Sequence, residues 1–196
     1  TKAVERLAGG IRIRSISSVD YKDTNFRPFD EFKIYLEQQY PAIYKTMDTI
    51  IVNKYGLLFH WKGKDSQKKP ILFLSHYDVV PVVGYDSTTA TADSIIFNME
   101  DKVATPIDSI QTEWSYSPFS GAVAHGYIYG RGTLDMKGML FSIMEAADNL
   151  ISEGFQPEQD IWFAFGQDEE VSGRQGAVKI AQYFKEKGIY FDAVYD

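Results

Sequence analysis

Three short, continuous apolar runs, each followed directly by polar side chains, restrict the fold of this chain more than any other feature. The runs and the residues after them are Ile71–Leu74 before Ser75-His76-Tyr77-Asp78, Ile161–Phe165 before Gly166-Gln167-Asp168-Glu169-Glu170, and Phe191–Tyr195 before Asp196. Apolar runs of this length are typical of β-strands that are buried on both faces of a sheet. The sequence therefore predicts three buried strands whose carboxyl ends carry polar groups.

Helical patterns separate the three runs. Apolar residues recur at helical spacing over Met136–Ile151 and again over Val178–Phe184. Gly154 and Gly188 follow these segments, as glycine often does where a helix ends. Strands that alternate with helices predict an α/β fold whose sheet is largely parallel at its centre. Because ligands bind at the carboxyl ends of the strands in such folds, we expect a functional site there.

The segment before the first run predicts helices and a hairpin. These are a short amphipathic start with Val4, Leu7 and Ile11, a helix over about Asp30–Met47, and hairpin strands Thr49–Val52 and Leu57–Trp61. Pro41 is expected to kink or divide the longer helix, because proline lacks an amide N–H. The hairpin is expected at an edge of the sheet, with Gly56 supplying its turn.

The composition excludes several classes of function. The chain has no cysteine, so disulfides, thiolate metal sites and cysteine nucleophiles are excluded, and any chemistry uses oxygen and imidazole. A formal net charge of −7 argues against sequence-independent nucleic-acid binding, which relies on Lys and Arg at phosphates. No apolar run approaches the roughly 20 residues that a membrane span needs. The chain begins at Thr1 rather than Met, so a targeting segment could have been removed and the compartment stays open.

Two of the polar segments combine residue types that bind metals. His76 precedes Asp78 by two residues, a common way to hold an imidazole ligand beside an acid. Asp168-Glu169-Glu170 places three carboxylates at a predicted strand end, where a divalent cation would relieve their repulsion. One carboxylate could then bind the metal while its neighbour acts as a general base. Each feature also has a simpler interpretation, a structural histidine in the first case and a solvated acidic turn in the second.

A glycine-rich stretch, Gly130–Gly138, presents a further carboxylate. It begins like a dinucleotide-binding fingerprint, but Asp135 occupies the third glycine position and no buried strand clearly precedes it, so a nucleotide site is rejected. Asp135 is either a metal ligand or the N-cap of the following helix, and the local pattern leaves both open. His-Glu-x-x-His, Gly-x-Ser-x-Gly and Walker-type motifs do not occur in the sequence. We expect His60 and His125 to be ordinary surface or turn histidines.

Four ordered blocks of this sequence resemble the zinc peptidases of the M20 family, and within it the carboxypeptidase S and Gly-Xaa carboxypeptidase branch. The blocks are Leu72-Phe73-Leu74-Ser75-His76-Tyr77-Asp78-Val79-Val80-Pro81-Val82, Trp114 with Pro118-Phe119-Ser120-Gly121, Tyr129-Gly130-Arg131-Gly132-Thr133-Leu134-Asp135-Met136-Lys137-Gly138, and Asp168-Glu169-Glu170-Val171-Ser172-Gly173. They cover the chain from about Ile71 onward. The resemblance implies a zinc-exopeptidase-like, three-layer α/β sandwich with a mixed, centrally parallel sheet.

The resemblance also implies a site with two Zn²⁺ ions. In it His76 binds one zinc, Asp135 bridges both, and Glu170 binds the second. The family's acidic ligand after the next strand falls at or just past Asp196, which is named as a further metal ligand. The peptide bond after the bridging Asp is cis in the family, and here that bond is Asp135–Met136. Oxygen and imidazole ligands would also suit Co²⁺ or Mn²⁺.

Two further residues have implied roles in catalysis. Asp78 would steady His76 from behind, and Glu169 would take a proton from the bridging water and return it to the leaving nitrogen. The predicted activity is zinc-dependent hydrolysis of a peptide or N-acyl amide bond adjacent to a free carboxylate, in a small peptide or N-acyl amino-acid substrate. Two alternatives stay open: a noncatalytic metal- or peptide-binding module of the same fold, and an aminopeptidase.

The resemblance predicts how much of a protein this chain represents. Residues 1–196 would form the N-terminal part of a single catalytic domain whose C-terminal portion is missing. The polar stretch 84–112 is longer than the usual connection and predicts an inserted surface loop. A lid and dimerisation domain is expected beyond residue 196, and with it a final histidine ligand and a homodimer.

Overall fold

From residue 137 onward, helices and strands alternate along the chain as expected. The computed structural model describes residues 1–82 and 114–196, and the insertion predicted at 84–112 lies outside them. The described helices are α1 (Lys2–Arg12), α2 (Arg27–Gln39), α3 (Pro41–Thr46), α4 (Lys137–Ser152) and α5 (Ala177–Glu186). The described strands are β1 (Asp48–Val52), β2 (Gly56–Trp61), β3 (Ile71–His76), β4 (Ala122–Ala124), β5 (Tyr127–Tyr129), β6 (Ile161–Gly166) and β7 (Ala193–Tyr195). Within these two ranges, no helix combines the length and apolar content needed to cross a membrane.

A mixed sheet lies at the centre of the fold. Among the described residues, five strands form it in the order β1-β2-β6-β3-β7, while β4 and β5 pair separately. β2 pairs antiparallel with both β1 and β6, whereas β6, β3 and β7 run parallel to one another. Ile71 lies opposite Ile161 and His76 lies opposite Gly166, so β3 and β6 end at the same level. The predicted sheet with a parallel centre is confirmed, and the polar residues after these two strands meet at one edge.

Helices cover both faces of this sheet. On one face, α2, α3 and α4 build an aromatic core that includes Phe32 and Phe165, both fully buried. On the other face, α5 packs Phe184 edge-on against Trp162, with ring centroids 5.2 Å apart. Burying one such side chain contributes about 1.5–3 kcal/mol, so both layers are held mainly by apolar contacts. The predicted three-layer sandwich is confirmed.

The N-terminal helices are joined to the sandwich by a buried cation. Pro41 divides the predicted long helix into α2 and α3, as expected for a residue without an amide N–H. Arg6 on α1 is 2% exposed, and its Nη1 lies 2.8 Å from Glu145 and 3.0 Å from Asp148 on α4. Its Nη2 donates to the carbonyl of Gln39, the last residue of α2. These contacts hold α1 against both helices.

The predicted turn of the hairpin is wrong. Gly56 is the first residue of β2, opposite Val52, and does not form the turn. Asn53 and Lys54 reverse the chain instead, with φ angles of 47° and 70°. The Asn53 side chain donates to the carbonyl of Gln175 at 2.9 Å. Asn tolerates the left-handed conformation better than most residues, and this anchor removes the need for glycine.

Burial of the last strand on both faces is not seen within the described residues. β7 pairs with β3, but Val194 is 53% exposed and Tyr195 is 50% exposed. An apolar run indicates a strand without indicating how many neighbours the strand has, so its burial could not be read from the pattern alone. β7 is the outermost strand of the described sheet on this side.

Candidate metal centre

The first component of the candidate centre is the histidine at the end of β3. His76 is 3% exposed, and its Nδ1 lies 3.1 Å from the carbonyl oxygen of Asp78 and 3.2 Å from its carboxylate. A proton on Nδ1 is therefore well accommodated, which leaves Nε2 to face the site as a ligand atom. Burial lowers the pKa of His76, but the hydrogen bond and charge of Asp78 and the nearby carboxylates outweigh it and raise this pKa to about 9.

The second component is the carboxylate presented by the glycine-rich stretch. Asp135 is 75% exposed, and its Oδ1 lies 3.0 Å from His76 Nε2. α4 begins only at Lys137, after Met136, and no side chain caps its first turn, so Asp135 is not an N-cap. The Asp135–Met136 bond is cis, as the resemblance implies. Gly132 is required nearby, because at φ +84° a Cβ would lie 2.6 Å from a methyl carbon of Val79.

The third component is the acidic triplet after β6, whose members have different environments. Asp168 is buried, and its carboxylate accepts from the backbone N–H groups of Gln175 and Gly176 at 2.7 Å each, which fixes the loop. A 3-10 turn over Glu169–Val171 then carries the next two carboxylates. Glu170 is partly buried, whereas Glu169 is 59% exposed, with its Oε2 3.6 Å from His76 Nε2.

Three of these residues form a cluster that fits a divalent cation. Each of His76, Asp135 and Glu170 offers one ligand atom, and these atoms lie within 4.8 Å of one another. An imidazole with two carboxylates is a donor set that suits zinc. Burial raises the pKa of Glu170, and the negative charge of Asp135 raises it further. A bound cation would relieve this repulsion, so the residues present fit a metal ion.

Asp78 lies behind the centre beside His76, and it also makes contacts that the sequence did not reveal. Its carboxylate is fully buried and accepts from the N–H of Glu169 and of Glu170, at 3.1 Å each. Asp78 therefore holds both glutamates as well as His76. Ser17 donates to the same carboxylate at 2.7 Å. No spacing pattern connects residues so distant in sequence, and only the fold brings them together.

Lys137 is a residue near the centre to which the sequence analysis gave no role. It is completely buried, and burial lowers its pKa to about 7. Its Nζ donates to the carbonyls of Gly10 at 3.0 Å and Ile13 at 2.7 Å, at the end of α1. These contacts fix the start of α4 and hence the loop that presents Asp135. Lysine is rarely buried, and the glycine-rich stretch around Lys137 carries no sequence signal for such burial.

The remaining candidate residues lie outside the three-residue cluster. Asp196 follows β7 and lines the same cavity of about 900 Å³ as His76 and Asp135, and its role as a ligand stays a prediction. His60 stacks on the ring of Trp162, with centroids 4.1 Å apart, and its Nε2 lies 2.7 Å from Asp160. His125 lies in the turn between β4 and β5 at φ 52°. His125 thus lies in a turn as expected, whereas His60 is a residue of β2 whose side chain is only 16% exposed.

These elements define a three-layer α/β domain with a candidate metal centre at the carboxyl edge of its sheet. The model of Peptidase family M20/M25/M40 matches residues 104–196. A probable carboxypeptidase S-like protein of Dictyostelium discoideum is 35% identical over 185 residues, covering 92% of this chain and 30% of that relative. An N-fatty-acyl-amino acid synthase/hydrolase of Xenopus tropicalis is 31% identical, covering 98% of this chain and 33% of that relative.

A solved structure shares the fold of this chain. The M20 family metallo-carboxypeptidase Sso-CP2 from Sulfolobus solfataricus superposes with a TM-score of 0.63 at 20% identity, covering 99% of this chain and 36% of that one. The predicted resemblance to the M20 metallopeptidases is confirmed, and this chain carries part of an M20 catalytic domain. It spans about 30% of the length of the curated relatives that it matches.

Proposed function

We propose that this chain carries metal ligands and the general base of a zinc-dependent hydrolase that cleaves a peptide or N-acyl amide bond adjacent to a free carboxylate. The observation that carries the proposal is the division between two neighbouring glutamates. Glu170 offers an oxygen to the three-residue cluster, whereas Glu169 stands beside the cluster, with its Oε2 3.6 Å from His76 Nε2. One carboxylate is thus available to hold a cation and the next is free to move a proton.

The proposed metal ligands are His76, Asp135 and Glu170, with Asp196 as a further one. Two zinc ions would be bound, with Asp135 between them and Glu170 on the second, and Co²⁺ or Mn²⁺ would suit the same donors. Zinc supplies Lewis-acid polarisation of the scissile carbonyl and lowers the pKa of the attacking water. The contact from Asp78 to Nδ1 keeps the other nitrogen of His76 available as a ligand.

Glu169 has the exposure and position that a general base requires. Its carboxylate reaches solvent and the cavity that His76 and Asp135 also line. We propose that it accepts a proton from the water that attacks the carbonyl and returns that proton to the leaving nitrogen. The names of two relatives, a carboxypeptidase S-like protein and an N-fatty-acyl-amino acid synthase/hydrolase, support a substrate that ends in a free carboxylate.

The test compares Glu169→Gln with Glu170→Gln in the full-length protein loaded with zinc. Turnover of a dipeptide and N-acyl amino-acid panel should fall at least about a hundredfold in Glu169→Gln while its zinc content stays that of the wild type. Glu170→Gln is the matched control and should lose zinc. Wild-type turnover in Glu169→Gln would contradict the proposed role.

The same assay separates the alternatives. Stoichiometric metal without hydrolysis of any substrate would favour a noncatalytic binding module. An aminopeptidase would lose cleavage when the substrate amine is blocked, whereas the proposed enzyme would retain it. The extent of the domain is part of the proposal: residues 1–196 form the N-terminal part of one catalytic domain, and a lid domain beyond residue 196 supplies a final histidine and a homodimer contact.

A further inference from the structure

A short N-terminal segment, Ser15–Ser17, lies against the turn that follows β3. Ile16 forms a parallel β-bridge with Val79. The N–H of Val79 donates to the carbonyl of Ser15 at 2.9 Å, and the N–H of Ser17 donates to the carbonyl of Val79 at 3.3 Å. The Ser15 hydroxyl donates to the carbonyl of Tyr77. This segment therefore follows the backbone on both sides of Asp78.

Ser17 extends this contact to a charged side chain. Its hydroxyl donates to Asp78 Oδ2 at 2.7 Å, and the two residues are 5% and 0% exposed. The same oxygen accepts from the N–H of Glu170, while the other oxygen accepts from the N–H of Glu169. A carboxylate buried away from water is costly unless its oxygens are hydrogen-bonded, so each donor matters. The hydrogen bond from the Ser17 hydroxyl is shorter than those from the two glutamate N–H groups.

We propose that Ser17 is a positioning residue of the metal centre and acts through Asp78. The inference rests on the proposed function, since it assumes that the cluster binds a metal. Without the hydroxyl, Oδ2 keeps only the N–H of Glu170, and the carboxylate gains freedom to rotate. Because that carboxylate holds the backbone of Glu169 and Glu170, its rotation displaces the ligand and the general base together. Mutation of a residue that orients a metal ligand through a hydrogen bond commonly lowers metal affinity by about 10–100-fold.

The test uses Ser17→Ala in the full-length protein, with Ser15→Ala as a matched control. Both changes remove one buried hydroxyl from the same segment, but the Ser15 hydroxyl contacts a main-chain carbonyl and no group of the centre. Zinc affinity is measured by competition with a chelator, and the absorption spectrum of bound Co²⁺ reports ligand geometry. Thermal unfolding of the metal-free variants shows what each change costs the fold.

We expect Ser17→Ala to bind zinc about tenfold more weakly and to alter the Co²⁺ spectrum. Ser15→Ala should stay within about twofold of the wild type in zinc affinity, even if it lowers the unfolding temperature as much as Ser17→Ala does. Ser17→Thr keeps the hydroxyl and should restore the wild-type spectrum. Equal zinc affinities of Ser17→Ala and wild type, or equal losses in both alanine variants, overturn the positioning role. A wild type that binds no zinc overturns the proposed function itself, and the inference with it.

Discussion

Replacing Asp78 by Asn perturbs the most densely hydrogen-bonded group of the centre. Its carboxylate has four donors within reach, which are Ser17 Oγ at 2.7 Å, Glu169 N and Glu170 N at 3.1 Å each, and His76 Nδ1 at 3.2 Å. Each carboxylate oxygen faces two of these donors. An amide has a single acceptor oxygen, so the substituted side chain keeps the two donors at that oxygen and turns its NH₂ toward the other two donors. In either orientation one glutamate N–H loses its acceptor, because a backbone N–H cannot accept a hydrogen bond.

The cost of Asp78→Asn follows from these contacts. A buried N–H without an acceptor costs about 1–3 kcal/mol, and each remaining bond weakens by about 1 kcal/mol when its acceptor loses the charge. The neutral side chain is easier to bury, which offsets part of this loss. We expect the free energy of unfolding of the metal-free protein to fall by about 2–4 kcal/mol. Zinc affinity should fall about 10–100-fold, since both glutamates lose their anchor.

Denaturant unfolding of the metal-free protein measures the free energy of unfolding, and chelator competition measures the zinc affinity. A double-mutant cycle with Ser17→Ala makes the test stricter. If Ser17 acts through Asp78, its removal should change zinc affinity little once Asp78→Asn is present. Zinc affinity of Asp78→Asn within about threefold of the wild type would refute the positioning argument, and so would additive losses in the double variant.

Two matched pairs of substitutions test the surrounding structure. Gly132→Ala should destabilise the protein and weaken zinc binding, because its Cβ would lie 2.6 Å from Val79. Gly126→Ala has a similar φ but no atom within 4 Å of its Cβ, so it should cost only the strain of a left-handed residue, about 1–2 kcal/mol. Equal losses of unfolding free energy in the two variants would count against the close approach. Arg6→Met should lower the free energy of unfolding by about 3–5 kcal/mol, because it leaves two carboxylates of α4 without their buried partner. Arg27→Gln, which breaks an exposed pair, should cost less than about 1 kcal/mol, and a similar cost for both would refute the role of burial.

The fold could be predicted where the apolar runs and the order of elements along the chain together indicated which strands lie side by side. The runs Ile71–Leu74 and Ile161–Phe165 became β3 and β6, and their shared register brings His76 level with the end of β6. The helices between the runs required a parallel crossover, so the meeting of polar ends at one edge followed from chain order. Burial of β7 did not follow, because an apolar run carries no information about how many strands lie beside it.

Within the candidate site, only the residues that belong to local sequence motifs could be predicted. His76, Asp135 and Glu170 belong to motifs, and the structure brings them into one cluster. The contact from Ser17 to Asp78 links residues 61 positions apart. A single hydroxyl in a serine-rich segment has neither periodicity nor a characteristic spacing, so its partner is decided by tertiary packing alone.

Adjacency in sequence does not make Glu169 and Glu170 equivalent, and the reason is the backbone between them. Successive side chains in a 3-10 helix point about 120° apart, since this helix has three residues per turn. Asp78 fixes the orientation of that turn by accepting from both N–H groups. Glu170 therefore offers an oxygen to the cluster, where charge repulsion favours a cation, and Glu169 lies beside the cluster with most of its side chain exposed. A more flexible loop would let the two exchange places, and the proposed separation of ligand from base would be lost. In the proposed mechanism, the buried carboxylate of Asp78 is thus what would allow two identical side chains to have different roles.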